Sequence, residues 1–260
     1  MTWLVLCGFG DHAARWAFER LCDLTSSPVE LVTDEDLLGA AWDHRVGDDA
    51  VVTNLRLTDG RSLRSGEIRG TLNRLTHAPP ALAGLLAPTD REYGYAELSA
   101  LLLSWLAALD GPILNPPATR GLCGAWRPAI EWANLAAEAG IAWVTLEADS
   151  VDQPATGVGD PSETWLAAGP GPVREDAIVI GASVFSARRL DGATRDACRR
   201  LAALAETPIL GLAFDATSAA SRPRLLGATP LPDLREGGTP LIAALATALA
   251  GPGRISGADR

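Results

Sequence analysis

The stretch TWLVLCGFGDHAARW, residues 2 to 16, decides the reading of the fold. Thr2 to Cys7 is a short apolar run, Gly8-Phe9-Gly10 is a tight turn, and Asp11 opens a helical pattern carried to about Leu24 by Trp16, Leu21 and Leu24. Strand, glycine turn and helix in that order begin an α/β domain. Gly8 to Ala13 fits the GxGxxA pattern, and Asp34 falls near the end of the next apolar run, where a ribose-binding acid would stand. NAD(P) is therefore one candidate ligand, with Gly8, Gly10, Asp11 and His12 at a helix N-terminus whose free N–H groups also suit a simpler anion. Against it, a tight first turn needs glycine whether or not a nucleotide binds.

Outward from this unit, Pro28 to Thr33 reads as a second strand, Asp34 to Trp42 as a short helix with acids in its first turn, and Ala50 to Leu57 as a third strand before an Asp59-Gly60 hairpin turn. Thr71 to Leu75 is a strand delivering Arg74, and Asp90 to Leu109 a helix with Leu98, Leu101, Leu102, Trp105 and Leu109 on one face. Gly111 to Asn115 is a strand, Pro128 to Ala139 a helix closed by Gly140, and Ile141 to Leu146 another strand. Ala148 to Pro172, rich in Gly, Pro, Asp and Ser, reads as an exposed connection. Asp176 to Arg188 reads as a hairpin around Gly181-Ala182 and Asp191 to Glu206 as a helix. Strands at Pro208 to Asp215 and Arg222 to Thr229, a helix at Thr239 to Leu249 and a frayed tail complete the chain. Alternating strands and helices of this kind argue for a largely parallel sheet.

Composition removes several function classes. All 22 basic residues among the 260 are arginines, so no lysine exists for a P-loop or a Schiff base. A net charge of -10 disfavours nucleic acid, because nothing would drive counterion release. No apolar run reaches the length of a membrane span, and the first residues lack a basic leader, which points to the cytoplasm. Cys7, Cys22, Cys123 and Cys198 lie far apart without CxxC spacing and read as free thiols. His12, His44 and His77 lack the spacing of a hydrolase or a metal site, so no metal is expected.

One further group deserves a ligand. Asn73, Arg74, Glu97, Asn115, Arg120 and Arg127 fall at strand ends or helix starts, where open α/β sheets gather what they bind. Arg74 and Arg127 could grip a carboxylate or phosphate in bidentate fashion. The competing expectation is an internal Arg74–Glu97 ion pair, with Trp126, Trp132 and Trp143 as core or rim packing.

Segment order and wording resemble the RimK-like ATP-grasp ligases, especially those that modify ribosomally made peptides. The resemblance runs over residues 1 to 146 through Asp11-His12-Ala13, Thr58-Asp59-Gly60-Arg61, Asn73-Arg74-Leu75, Tyr95-Ala96-Glu97, Trp105-Leu106, Asn115-Pro116-Pro117 and Leu135 to Ile141. Arg127 stands where that family has a phosphate-contacting lysine. A looser match links Val179-Ile180-Gly181 with Val184-Phe185 to the central hairpin, and Leu210-Gly211 with Leu225 to Pro230 to the final metal-bearing hairpin. The resemblance implies an α/β protein with a Rossmann-like, pre-ATP-grasp N-terminal domain over 1–118 and a reduced ATP-grasp-like α+β part over 119–260. Departures decide what it implies about activity. Gly227 and Thr229 occupy the positions of a metal-binding Glu and Asn, Asp215 is offset from an earlier acid, and only Glu147 to Asp176 stands where a lysine-bearing lobe should be. The resulting expectation is a non-catalytic or repurposed relative without a cofactor, binding a peptide, a partner enzyme or a small anionic metabolite in a specialised biosynthetic pathway. A homodimer is compatible with it. The alternatives are a nucleotide- or dinucleotide-dependent enzyme using Gly8 to Ala13, and a diverged ligase that uses ATP and magnesium.

Overall fold

The computed structural model describes residues 2–48, 50–144, 176–215 and 223–251. The first half contains β1 (Thr2–Cys7), α1 (His12–Leu24), β2 (Val29–Thr33), α2 (Asp34–Gly39), β3 (Ala41–Val46), β4 (Val51–Arg56), β5 (Ser62–Arg64), β6 (Ile68–Arg74), α3 (Leu82–Leu85), α4 (Arg91–Ala107) and β7 (Ile113–Leu114). The second contains α5 (Ala129–Ala139), β8 (Ala142–Trp143), β9 (Ala177–Ile180), β10 (Ser183–Phe185), α6 (Gly192–Leu204), β11 (Ile209–Phe214), β12 (Arg224–Thr229) and α7 (Gly238–Ala250). The expected connection from Ala148 to Pro172 and the tail beyond Gly251 lie outside the described residues.

Strands β2, β1, β6 and β7 form an all-parallel sheet in that order. Alternation along β1 explains its two cores. Val5 and Cys7 join Leu72 of β6 under α1 and α7, whereas Leu4 and Leu6 face Leu102, Trp105 and Leu106 of α4. A second sheet, β10-β9-β11-β12-β8, is antiparallel except for the parallel β12–β8 pair, and α5 and α6 cover one of its faces. Ile178, Ile180 and Ile209 on its other face join the α1/α7 cluster, so one continuous core binds the two sheets. The molecule is thus mixed α/β, and α7 from the end of the chain closes the first sheet. That closure requires Gly70, where a Cβ would sit 2.4 Å from the Leu249 carbonyl oxygen.

Residues Asp34 to Trp42 do not form one helix. A capping box between Thr33 and Asp36 starts α2, but Ala40 is extended and the chain turns into β3. Trp42 then lies in a strand, its indole N–H donating to Leu37 O at 3.1 Å and its ring meeting Trp105 edge-on at 5.3 Å. This strand, unforeseen from its sequence, pairs antiparallel with β4, which pairs with β5 through the Asp59-Gly60 turn. Gly140 closes α5 in the left-handed conformation, as its position after the apolar pattern predicts. All four cysteines are free, and none of the described helices is long and apolar enough to cross a membrane.

Candidate functional site

The C-terminal end of β6 carries two different constructions. In the first, the polar residues are spent on the frame. Asp11 caps α1 by accepting from Ala14 N at 2.9 Å and takes the Arg74 Nε hydrogen at 2.7 Å. Arg74, buried, also donates to Pro232 O at 3.0 Å. The expected Arg74–Glu97 pair is therefore absent: Glu97 is exposed on α4, and Arg74 is turned to Asp11 because the N-cap carboxylate lies nearer the end of β6. Asn73 donates to Asn115 O and Leu122 O. Asn115, held at φ 62, donates to Ile209 O and Pro230 O and accepts from Ile209 N, tying the first sheet to the second.

The glycine turn is similarly occupied. Asp34 Oδ1 accepts from Phe9 N at 2.7 Å and from Glu35 N at 3.0 Å, so this acid clamps the turn. Gly8 and Gly10 have ordinary φ, and a Cβ on Gly10 would meet nothing within 4 Å. His12 is exposed at the start of α1. The α1 N-terminus thus holds the protein's own carboxylate, which would compete with any added anion.

The second construction is a cavity of about 410 Å³ lined by Thr76 and His77 after β6, by Arg120, Gly121 and the run from Cys123 to Arg127, by Trp132 of α5 and by Ala228 and Pro230 at the end of β12. Proline residues and the Ala118–Gly121 bridge shape the 116–128 loop that forms most of its wall. Arg120 donates through Nη1 to both oxygens of Glu131, at 2.7 and 3.0 Å, and sits 5.7 Å from the Trp126 ring centre. Arg127 stacks 5.5 Å from the Trp132 ring centre and donates through Nη1 to Ala125 O at 3.2 Å. Burial lowers its pKa, Glu131 raises it, and neighbouring Arg120 lowers it further. Cys123 donates its thiol hydrogen to Asn73 O, and burial pushes that thiol up to about 12, so it is no nucleophile at neutral pH. Trp132 is buried whereas Trp126 is 51% exposed at the rim.

Of the residues singled out from sequence, the fold brings Arg120 and Arg127 to this cavity and places Gly8, Gly10, Asp11, His12, Arg74, Glu97 and Asn115 elsewhere. Glu131 and His77 were missed as wall or partner residues. Glu131 lies in the first turn of α5 and its partner Arg120 in the loop eleven residues before it, so no local spacing announced the pair.

No protein-family model matches the chain, and no curated protein matches it. Solved structures do. The macrocyclase MdnC from Microcystis aeruginosa MRC, bound with precursor peptide MdnA, superposes with a TM-score of 0.71 at 13% identity, over 97% of this chain and 100% of that one. A RiPP-associated ATP-grasp ligase from Chryseobacterium gregarium, in complex with ADP and a leader and core peptide, gives 0.67 at 11% identity over 95% and 96%. The ATP-grasp ligase PsnB, with a phosphomimetic variant of a minimal precursor, Mg and ADP, gives 0.62 at 17% identity over 96% and 98%. The chain has an ATP-grasp ligase fold.

In this ATP-grasp frame, β11 and β12 are the hairpin where the resemblance puts metal ligands. Gly227 and Thr229 are buried there, facing Ala213 and Gly211 in register, and Thr229 Oγ1 accepts from Leu231 N. Asp215 is paired with Arg224 at the far end of the hairpin. Among the described residues no three His, Cys, Asp or Glu side chains gather to hold a metal ion. Neither Gly227 nor Thr229 supplies the carboxylate oxygen that magnesium coordination favours. PsnB holds Mg and ADP, so the likeness gives no support to the expectation that a cofactor is missing.

Proposed function

We propose that this ATP-grasp-fold chain binds a peptide in a peptide-maturation pathway, and that it has lost magnesium-dependent ligation. On this reading residues 1–118 are a Rossmann-like half and 119–260 a reduced ATP-grasp-like half, joined by the Asn115 network. The observation that carries it is the β11–β12 hairpin, where Gly227 and Thr229 offer no carboxylate to a metal. Without the metal, the charge that develops during acyl-phosphate formation has no counterpart. The cavity beside Arg127 supplies a binding site independent of that chemistry. MdnC and the Chryseobacterium ligase were solved with peptides bound, which supports a peptide over a partner enzyme or a small anionic metabolite.

Thermal unfolding and calorimetry with a leader-core precursor peptide, and separately with ATP and magnesium, test this reading. A ligand that binds only the native state raises Tm with its occupancy. The peptide is expected to raise Tm, and ATP with magnesium to leave it unchanged and to yield no ADP when peptide is added. Peptide-stimulated ADP release would overturn the loss of ligation and make Arg127 a substitute for the phosphate-contacting lysine.

A further inference from the structure

The cavity at Arg127 carries a countable charge. Arg120 is neutralised within the protein, because both Glu131 oxygens accept from its Nη1. Arg127 is not: it has one backbone acceptor, Ala125 O, and among the described residues no carboxylate within ion-pair distance. His77 Nδ1 donates to Ala78 O at 2.9 Å, so that ring nitrogen is occupied within the protein. Arg120, Glu131 and Arg127 together sum to one positive charge, with Glu206 acting on Arg127 from beyond ion-pair distance. The remaining wall is mostly apolar, with Trp126, Trp132, Ala228 and Pro230 among its residues and Thr76 contributing a hydroxyl.

We propose that this cavity takes a monoanionic carboxylate borne on an apolar body of aromatic size, and that the Arg120–Glu131 pair keeps phosphate esters and nucleotides out. A carboxylate brings one charge and two coplanar oxygens, which match the unused N–H groups of the Arg127 fork. A phosphate monoester brings a charge of about -1.5 to -2 near neutral pH and needs a second cation. The other arginine on the wall, Arg120, is already matched, and Glu131 repels the surplus charge. The pair is 45% and 39% exposed, so solvent screens part of this mismatch and the discrimination is modest in size. Trp126, 51% exposed at the rim, offers the main aromatic contact to the ligand body. The position that the family resemblance assigns to a phosphate contact is thus converted to carboxylate selectivity by one acid on α5.

This inference rests on the reading of the cavity as a ligand site, but not on the ligand being a peptide. Titrations followed by tryptophan fluorescence and calorimetry would use five probes: 3-phenylpropionate as a free acid, N-acetylphenylalanine as a peptide C-terminus, its neutral amide, phenyl phosphate, and ADP. Both carboxylates should bind, and the amide, phenyl phosphate and ADP should bind at least about tenfold more weakly, the weight of one charged hydrogen-bond pair. Arg127→Gln should weaken the carboxylates by about tenfold or more, with Arg127→Lys intermediate because it keeps the charge but loses the fork. Glu131→Gln should strengthen phenyl phosphate by about tenfold while moving the carboxylates less. Circular dichroism establishes that each variant is folded.

Equal affinity for phenyl phosphate and 3-phenylpropionate in the parent protein, an unchanged carboxylate affinity in Arg127→Gln, or no carboxylate binding at all would overturn the proposal. A precursor peptide that binds while neither carboxylate does would overturn it and leave the peptide reading intact. Carboxylates that bind as expected, with no peptide binding, would do the reverse.

Discussion

Arg74 Nε and Asp11 Oδ2 stand 2.7 Å apart across 63 residues of chain, with the two side chains only 4% and 16% exposed. Through them the N-cap of α1 is bolted to the end of β6, and Arg74 extends the bolt to Pro232 before the final helix. A residue that looks from sequence like a ligand clamp is therefore a strut.

Removing Arg74 would leave a partly buried carboxylate without its partner. Arg74→Gln is expected to cost about 3–5 kcal/mol of stability, the typical penalty for breaking one side of a buried pair. Urea denaturation measures it. Loss of less than about 1 kcal/mol, the range of an exposed pair, would mean that solvent already screens the interaction.

Asn115 is the corresponding joint between the two sheets. Its side chain satisfies three backbone groups, Ile209 N, Ile209 O and Pro230 O, at 2.8, 3.0 and 2.7 Å. Each buried group left unpaired costs about 1–3 kcal/mol. Asn115→Gly, which tolerates the φ of 62, should therefore destabilise the chain by several such increments. Hydrogen exchange should report early loss of protection at Ile209, and protection equal to the parent there would argue that water replaces the amide.

Gly70 faces α7 with no room for a methyl group, its hypothetical Cβ being 2.4 Å from Leu249 O. Gly70→Ala should push the end of α7 away at a cost of about 1–3 kcal/mol, as overpacking usually does. An unchanged midpoint of thermal unfolding would show that the helix end can shift freely.

Burial raises the thiols of Cys7, Cys123 and Cys198 from 9.0 to about 12. Between those limits the unfolded chain releases protons that the native state retains, so stability is complete below pH 9 and falls as pH rises. Each thiol contributes a slope of about 1.4 kcal/mol per pH unit in that window. Urea midpoints measured from pH 8 upward should decline more gently in Cys123→Ala than in the parent, after allowing for the stability lost with the side chain. At pH 8 a thiol reagent should label exposed Cys22 and spare the other three until the chain unfolds.

The strand, turn and helix from Thr2 to Leu24 were legible because each is written in a local pattern, and so was the α5 stop at Gly140. Strand β3 was not, because the acidic first turn of α2 and the apolar residues up to Trp42 continue a helical pattern that tertiary packing overrides. Trp42 becomes a strand residue by docking on Trp105, 63 positions away.

The candidate site divides along the same line. That the chain has no lysine and that Gly227 and Thr229 bring no carboxylate are properties of the residues themselves, legible without coordinates. Which arginine is available is not. Arg74, Arg120 and Arg127 are chemically identical in sequence, and only the fold gives the first to Asp11, the second to Glu131 and leaves the third without an acid within ion-pair distance among the described residues. The physical reason is that charge pairing depends on separation through space, and the partners here lie 63 and 11 residues apart along the chain.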